Sequence, residues 1–122
     1  MISGPAYGAV DERWEQLEMD IEAINEMFEG LGPVTVKRMF GGQGVYHQGR
    51  IIALEVDGEM LLKADKLSAG KFEAAGSTQW AHAGKNRPVK MPYWSIPDSA
   101  MDDPDEMKTW VHLAFEASLR AK

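Results

Sequence analysis

The feature that most constrains this chain is a series of short strand-like segments between residues 34 and 64, separated by two-residue turn signals. Gln48-Gly49 and Asp57-Gly58 each join two such segments. Asp-Gly is a strong hairpin signal because both residues tolerate the positive φ angles that a two-residue turn requires. Such turns connect antiparallel neighbours. The sequence therefore predicts an antiparallel meander of four strands, over residues 34–39, 44–47, 50–56 and 59–64.

The third of these strands has an alternating pattern. Ile52, Leu54 and Val56 alternate with Ala53 and Glu55 along it. Because successive side chains point to opposite faces of a sheet, we expect the first three on the buried face and the other two on the wetter face.

Two further strands are predicted later in the chain, at residues 78–82 and 89–96. Pro92 lies inside the second of them and cannot donate a backbone hydrogen bond. That strand is therefore expected either at an edge of the sheet or with a bulge.

The chain before the meander has helical periodicity. Its apolar residues recur at alternating spacings of four and three, which places them along one side of a helix over residues 10–31. Gly30, Gly32 and Pro33 end this helix, because Gly adopts the left-handed C-cap conformation and Pro cannot continue the hydrogen-bond ladder. The same spacing suits a coiled-coil seam, but Trp and Phe in the stripe favour packing on the sheet. The stripe consists of Val10, Trp14, Leu17, Ile21, Ile24, Phe28 and Leu31.

Two more helices follow the meander. Asp65 caps a short helix that ends at Gly76. Asp103 caps the closing helix, which runs to about residue 119, and Glu106 is its reciprocal capping-box partner. The resulting order is α-β-β-β-β-α-β-β-α, an α+β fold in which helices pack on an antiparallel sheet of about six strands.

Length, cysteine usage and hydropathy bound the class of protein. At 122 residues we expect one domain over residues 10–122 after a flexible leader over residues 1–9. The absence of cysteine excludes disulfide frameworks, thiolate catalysis and thiolate-bound metals, and is typical of a reducing compartment. The longest apolar run, residues 51–54, is far short of the roughly 20 residues of a membrane-spanning helix. We expect a cytoplasmic protein without a membrane contact.

No catalytic or metal-binding pattern is visible in the sequence. His47, His82 and His112 lack the i,i+4 spacing of a helical metal site and are expected to be exposed or hydrogen-bonded structural residues. The glycine-rich residues 41–44 lead into a strand, whereas a phosphate-binding loop needs a following helix N-terminus. We interpret this segment as a tight connection that needs positive φ, or as a bulge. We therefore expect no catalytic residues, metals or cofactors, and a small enzyme that uses this loop is the least favoured alternative.

The charges are segregated along the chain, although the net charge is -6. Residues 33–96 carry nine Lys and Arg against five Asp and Glu, whereas the two flanking segments carry four against fourteen. Ordinary domains with acidic helices also show such sorting. The basic and aromatic residues 80–94 place cations beside flat rings, as single-stranded nucleic acid or an acidic peptide would use, although Trp80 and Trp94 can equally cover the core. The candidate surface for a partner or nucleic acid comprises Lys37, Arg38, Lys85, Arg87, Lys90 and Trp94.

Several segments taken together resemble a known family. The segments RMFGGQGVY at residues 38–46, LKAD at residues 62–65, FEAAG at residues 72–76 and VKMPYW at residues 89–94 resemble, in this order, the N-terminal domain of the TfoX/Sxy competence-regulator family. The resemblance covers about residues 10–120. Its structural motif comprises Met39, Phe40, Gly41, Gly42 and Gly44.

The resemblance carries expectations about fold and function. It implies an α+β domain similar to secretion chaperones, and a bacterial cytoplasmic regulator without known catalytic residues that acts with the cyclic-AMP receptor protein at competence promoters. Full-length members of the family continue into a second, helical domain. The resemblance therefore implies that this chain, which stops at Lys122, is a stand-alone N-terminal domain.

These observations predict a non-enzymatic regulatory module that acts through protein–protein contacts in transcription regulation. The alternative is a nucleic-acid-binding domain that uses residues 80–94. A single sheet has two edges with unpaired backbone groups, which also predicts a homodimer. We expect that dimer to form through a sheet edge or the exposed sheet face, rather than through the helix over residues 10–31.

Overall fold

A computed structural model describes residues 19–39, 41–83 and 86–121. Its elements follow the predicted order α-β-β-β-β-α-β-β-α, so the α+β fold is confirmed. The predicted leader, residues 1–9, lies outside the described residues. The helices are α1 (Ile21–Met27), α2 (Ala69–Ala74) and α3 (Pro104–Arg120), with a 3-10 turn at Asp98–Ala100. The strands are β1 (Thr35–Met39), β2 (Gly42–His47), β3 (Arg50–Val56), β4 (Glu59–Lys63), β5 (Gln79–Ala83) and β6 (Pro88–Ser95).

The six strands form one antiparallel sheet in the order β1-β2-β3-β4-β6-β5. Both predicted two-residue turns are confirmed, because Gln48 and Asp57 have φ angles of 53° and the glycines that follow them have φ angles of 80° and 85°. Positive φ at both turn positions gives a backbone twist that matches the flanking strands. The first four strands therefore form the predicted meander.

Strand β6 lies inside the sheet, between β4 and β5, so the edge position predicted from Pro92 is wrong. The alternative, a local irregularity, is confirmed. The pairing of β5 with β6 shifts register between Gln79 and Ala81, opposite the stretch that contains Pro92. The Gln79 side chain donates a 3.0 Å hydrogen bond to the Met91 carbonyl in this stretch. Because the regular ladder is already interrupted there, the missing N–H of Pro92 is tolerated inside the sheet.

Helix α1 is shorter than the predicted span of residues 10–31. Asp20 has extended backbone angles, and its carboxylate accepts a 2.8 Å hydrogen bond from the Ala23 N–H, so the helix begins at Ile21. Ile21 is 58% exposed, which contradicts its predicted place in the buried stripe, whereas Ile24 and Phe28 are fully buried. The part of the predicted helix before residue 19 lies outside the described residues.

Helix α2 also begins later than predicted. The carboxylate of Asp65 accepts hydrogen bonds from the backbone N–H groups of Leu67 and Ser68, so it closes a turn, and α2 begins only at Ala69. Its predicted end is confirmed, since Gly76 has a φ angle of 88°.

Helix α3 has the predicted N-cap but not the predicted capping box. Asp103 accepts hydrogen bonds from the backbone N–H groups of Asp105 and Glu106. The Glu106 carboxylate instead accepts from the Ser99 hydroxyl and the Trp110 indole N–H, which fastens the 3-10 turn to the helix. Among the described helices, none is both long and apolar enough to cross a lipid bilayer.

The core lies between the sheet and the helices. Helix α3 packs across β3 and β4, and α1 contributes Ile24 and Phe28. Val45, Ala53 and Leu62 occupy paired positions on neighbouring strands and are all fully buried, so they mark the helix-covered face.

The predicted burial in β3 is confirmed for Ile52 and wrong for the residues that follow it. The pairing of β2 with β3 shifts by one residue at Ile52, so that Ile52 and Ala53 are both fully buried. Beyond this shift, alternation places Glu55 on the helix-covered face, where it is fully buried. Leu54 and Val56 are half-buried on the opposite face. The shift therefore exchanges the two faces over the second half of the strand.

Candidate functional site

The structure does not bring the predicted basic residues into one surface. Lys37 and Arg38 lie on β1, at one edge of the sheet, whereas Arg87 and Lys90 lie in the β5–β6 hairpin at the other end of the strand order. Four strand spacings of about 4.8 Å separate β1 from β6, or about 19 Å. Lys85 lies outside the described residues. The predicted set is therefore split into two separate groups.

Trp94 covers the core. The side chain is half-buried, and its ring stacks on the fully buried Phe72 with ring centres 6.3 Å apart and 29° between the planes. Trp110 of α3 packs against the same Phe72 ring at 4.7 Å. Trp80 is half-buried and lies 5.5 Å from the ring of the exposed His82. These contacts favour the core-covering alternative for Trp94 over a free stacking platform.

The glycine-rich motif joins β1 to β2, and two adjacent glycines are needed there for different reasons. Gly41 has a φ angle of 85°, a conformation that favours glycine. The backbone of Gly42 approaches β3 so closely that a Cβ atom would overlap the carbonyl oxygen of Glu55. The interpretation as a tight connection is therefore confirmed at Gly41, and Gly42 adds a close approach of two strands. Phe40 lies outside the described residues.

Gly44 lies beneath a small cluster of side chains. A Cβ atom there would be 3.1 Å from the Tyr46 ring and 3.3 Å from the sulfur of Met39. The ammonium of Lys37 lies 4.9 Å from the centre of the Tyr46 ring, a cation–π distance. Lys37, which the sequence placed in a binding surface, thus packs against Tyr46, and Met39, which belongs to the family motif, lies beside Gly44.

Gln43 and Glu55 form a buried polar pair, and neither residue is among the predicted site residues. The Glu55 carboxylate is fully buried and accepts hydrogen bonds from the Gln43 amide at 2.9 Å and from the Gly58 N–H at 2.6 Å. The Gln43 amide also donates to the Met19 carbonyl at 3.0 Å. The pair therefore connects β2, β3, the β3–β4 turn and the segment before α1. The sequence signal for this pair is the position of Glu55, a carboxylate two residues before the Asp57-Gly58 turn, where it can accept a hydrogen bond from the turn backbone.

Two of the three histidines hold the turn that follows α1. His47 is 6% exposed, and its Nδ1 lies 2.7 Å from the Pro33 carbonyl oxygen. Its ring makes a T-shaped contact with the Phe115 ring, with ring centres 4.8 Å apart. The Nε2 of His112 lies 3.2 Å from the Gly30 carbonyl oxygen. Both are hydrogen-bonded structural residues, as predicted. Across the residues that the structure describes, no three His, Asp or Glu side chains are grouped so as to hold a metal ion.

An ion pair ties the end of α3 to the loop after β4. Arg120 donates hydrogen bonds of 2.6 and 3.0 Å to the Asp65 carboxylate. These hydrogen bonds, with the Arg120 charge, lower the pKa of Asp65 to about 2 against the opposing effect of desolvation. A cavity of about 490 Å³ lies beside the pair and is bordered by Lys63 and Trp94. Three cationic residues border this cavity, namely Lys63, Lys66 and Arg120. Two of them are engaged within the protein, because Arg120 is paired with Asp65 and the Lys63 ammonium lies 5.5 Å from the centre of the Tyr93 ring.

An apolar groove runs between α1, the 3-10 turn and the start of α3. It consists of two adjoining cavities of about 270 and 400 Å³ that share three methionines. Met60 and Met107 are nearly buried, Met19 and Met27 are half-buried, and Met101 is 52% exposed. These five residues define what we call the methionine groove. They are five of the eight methionines of the chain and share no regular spacing, which is why sequence patterns did not reveal them.

Acidic side chains border the methionine groove. The exposed Glu26, Glu29 and Asp102 line the larger cavity, and the exposed Glu59 and Asp98 line the smaller one. Among the described residues that line the groove, none is Lys or Arg. Methionine side chains adapt to irregular apolar partners. The groove thus combines adaptable apolar walls with a negative border.

Comparison with known proteins identifies the family. The chain is 23% identical over 115 residues to the DNA transformation protein TfoX1 of Aliivibrio fischeri (strain ATCC 700601 / ES114). This match covers 91% of the chain and 55% of that protein, so the chain spans about half the length of this relative. The family model of the TfoX N-terminal domain matches residues 26–118, which include all six strands and the motif at residues 39–44. The chain therefore belongs to the TfoX N-terminal domain family.

Proposed function

We propose that this domain is a cytoplasmic, non-enzymatic regulator of DNA transformation competence that acts on transcription by binding a partner protein. Family membership supports the competence part of the proposal, as does the similarity to a protein named for DNA transformation. The partner that the family resemblance implies is a transcription factor of the cyclic-AMP receptor protein type.

The observation that carries the protein-binding part is the methionine groove. Adaptable apolar side chains in a surface groove are typical of sites that accept a segment of another protein. Met101 at this groove is 52% exposed, and Met19 and Met27 are only half-buried. The buried polar side chains of Glu55 and Gln43, by contrast, pair with each other inside the protein. The groove is therefore the surface best suited to a protein contact.

Deletion of the gene in the native host tests the competence part directly. We expect the deletion to lower transformation frequency and the messenger levels of DNA-uptake genes, and a plasmid copy of the gene to restore both. Unchanged transformation under conditions in which the host is competent contradicts this part of the proposal.

A binding measurement separates a protein-binding domain from a nucleic-acid-binding one. Phosphate contacts are strongest at low ionic strength, so direct binding would be detected there and would weaken steeply with added salt. We expect no binding to single- or double-stranded DNA at low salt, since the predicted basic residues lie on two separate parts of the sheet. Salt-sensitive DNA binding that is lost in Arg87→Glu and Lys90→Glu would favour the nucleic-acid alternative.

A further inference from the structure

The methionine groove offers two adjoining cavities, of about 270 and 400 Å³, to one ligand. Its two cavities adjoin at Met19, Met27 and Met101, so together they form one apolar depression bordered by α1 and the first turn of α3. An amphipathic helix that lies in such a groove presents apolar side chains at i, i+3 or i+4, and i+7. Two successive cavities suit two successive turns of that apolar stripe.

One wall of the groove is fixed and another can adjust. The Met19 carbonyl is held by the amide of Gln43, which the buried Glu55 in turn positions. Met101 follows the 3-10 turn, and its side chain is half exposed. An unbranched thioether on a fixed backbone can follow the shape of different apolar side chains without a change of fold.

The charge around the groove selects the chemistry of its occupant. Five carboxylates border it, and none of the described lining residues is basic. Complementary charge favours an occupant with Lys or Arg beside its apolar stripe. Residues 1–18 of the chain itself carry four acids against one base, so their charge does not match this border.

We infer that the methionine groove binds a basic amphipathic helix of a partner protein. This inference deepens the proposed function, because it assigns the partner contact to one surface and one ligand chemistry. The apolar face of the helix fills the two cavities, and its Lys or Arg residues lie near Glu26, Glu29 and Asp102.

A pair of synthetic peptides tests the inference on the full chain. The first is built of Leu and Lys, with Leu at helical spacing along one face, and the second has Glu in place of every Lys. We expect the Lys peptide to bind in titration calorimetry, to become helical on binding and to bind more weakly as salt is added. We expect no binding of the Glu peptide.

Matched variants locate the site. Met101→Gln should weaken binding of the Lys peptide by about tenfold, because it removes an apolar side chain that the helix buries. Glu26→Lys should weaken it by about threefold or more through lost attraction and new repulsion. The controls are Leu67→Gln and Glu73→Lys, since Leu67 is 70% exposed on a different part of the surface and Glu73 is exposed on α2. Both controls should bind as the unaltered protein does.

Several results overturn the inference. The inference fails if the two peptides bind equally well or if the Lys peptide does not bind. It also fails if the groove variants and the control variants lose the same affinity for the Lys peptide, because that result would indicate nonspecific attraction to an acidic protein. A photo-cross-linker at position 101 identifies other occupants. Cross-linking to residues 1–18 that persists at saturating peptide, or a dimer that Met101→Gln dissociates, would assign the groove to the chain itself or to a second copy.

The outcome is independent of the competence experiment. If the gene deletion leaves transformation unchanged but the Lys peptide binds as described, the proposed function fails and the groove site stands. If deletion abolishes transformation but the peptide does not bind, the groove site fails and the proposed function stands.

Discussion

Replacement of Gly42 by Ala should destabilise the domain far more than the same replacement at the neighbouring Gly41. Gly41 has a φ angle of 85° and open space around the position of a Cβ atom, so its substitution introduces backbone strain only. A Cβ atom at Gly42 would overlap the carbonyl oxygen of Glu55 on β3. That oxygen belongs to a paired strand and cannot rotate away, so β2 and β3 must separate.

The magnitudes follow from these two situations. An Ala residue in the left-handed conformation destabilises the folded protein by about 1–2 kcal/mol. Ala also restricts the unfolded chain more than Gly does, which offsets part of this loss, so the net loss of stability for Gly41→Ala is about 1 kcal/mol. Gly42→Ala has an overpacking cost of about 1–3 kcal/mol. It also displaces Glu55, whose hydrogen bonds to Gln43 and Gly58 contribute about 1 kcal/mol each. The total for Gly42→Ala is therefore about 3–5 kcal/mol.

Urea unfolding followed by circular dichroism measures both variants. Gly49→Ala is a second control, because Gly49 has a φ angle of 80° and no atom within 4 Å of a Cβ position. We expect Gly41→Ala and Gly49→Ala to lose similar, small amounts of stability. A Gly42→Ala protein that loses no more than Gly41→Ala would refute the close approach of β2 and β3 as the reason for this glycine.

Three further predictions concern the core, the ion pair and self-association. Phe28→Ala should lower the free energy of unfolding by about 3–5 kcal/mol in chemical denaturation, because Phe28 is fully buried. Trp110→Ala should lower it by about half as much, because Trp110 is half-buried. Equal losses in the two variants would contradict this description of the core. The lowered pKa of Asp65 means that its ion pair with Arg120 stabilises the fold fully above about pH 4 and loses this effect as the pH falls toward about 2. Asp65→Asn should therefore be less stable than the unaltered protein by at most about 1 kcal/mol at pH 7 and equally stable near pH 2, and a difference that is constant with pH would contradict the pairing. Sedimentation at tens of micromolar should show a dimer of the 13.6 kDa chain, formed at the β1 or β5 edge or on the exposed sheet face; a monomer alone, or a dimer that Ile21→Lys dissociates, would contradict that geometry.

The strands and turns could be predicted because their signals are local. Asp57-Gly58 specifies a turn through the φ angles of two residues, and that is sufficient to pair the strands on either side. The start of α1 was harder to predict, because the cap residue Asp20 lies within an apolar spacing that continues on both sides of it. Local spacing did not show that Ile21 is exposed.

The faces of β3 and the position of β6 depend on interactions between distant segments. The one-residue shift at Ile52 arises from the pairing of two strands, and it reverses the burial of Glu55 and Leu54. Pro92 is compatible with an interior strand only because the pairing with β5 is irregular at that point. The shift in β3 has no signal within its own strand, and Pro92 indicates an irregularity in β6 but not its interior position.

The candidate site could not be predicted for a related reason. The methionine groove joins Met19, Met60 and Met101, which come from three separate parts of the chain. Conversely, Lys37 and Lys90 have similar surroundings in the sequence, but the strand order places them about 19 Å apart. Surfaces that assemble across a sheet depend on strand order, which local patterns do not contain.

The most direct test of the central claim, that the domain supports competence through a partner bound in the methionine groove, is the transformation frequency of the native host carrying Met101→Gln in place of the natural gene. The Leu67→Gln allele, at an equal protein level, is the matched control, since both substitutions replace an exposed apolar residue with Gln. We predict that Met101→Gln lowers transformation toward the frequency of the deletion strain, whereas Leu67→Gln transforms normally. Normal transformation by the Met101→Gln strain, in a host whose deletion strain does not transform, would contradict the claim.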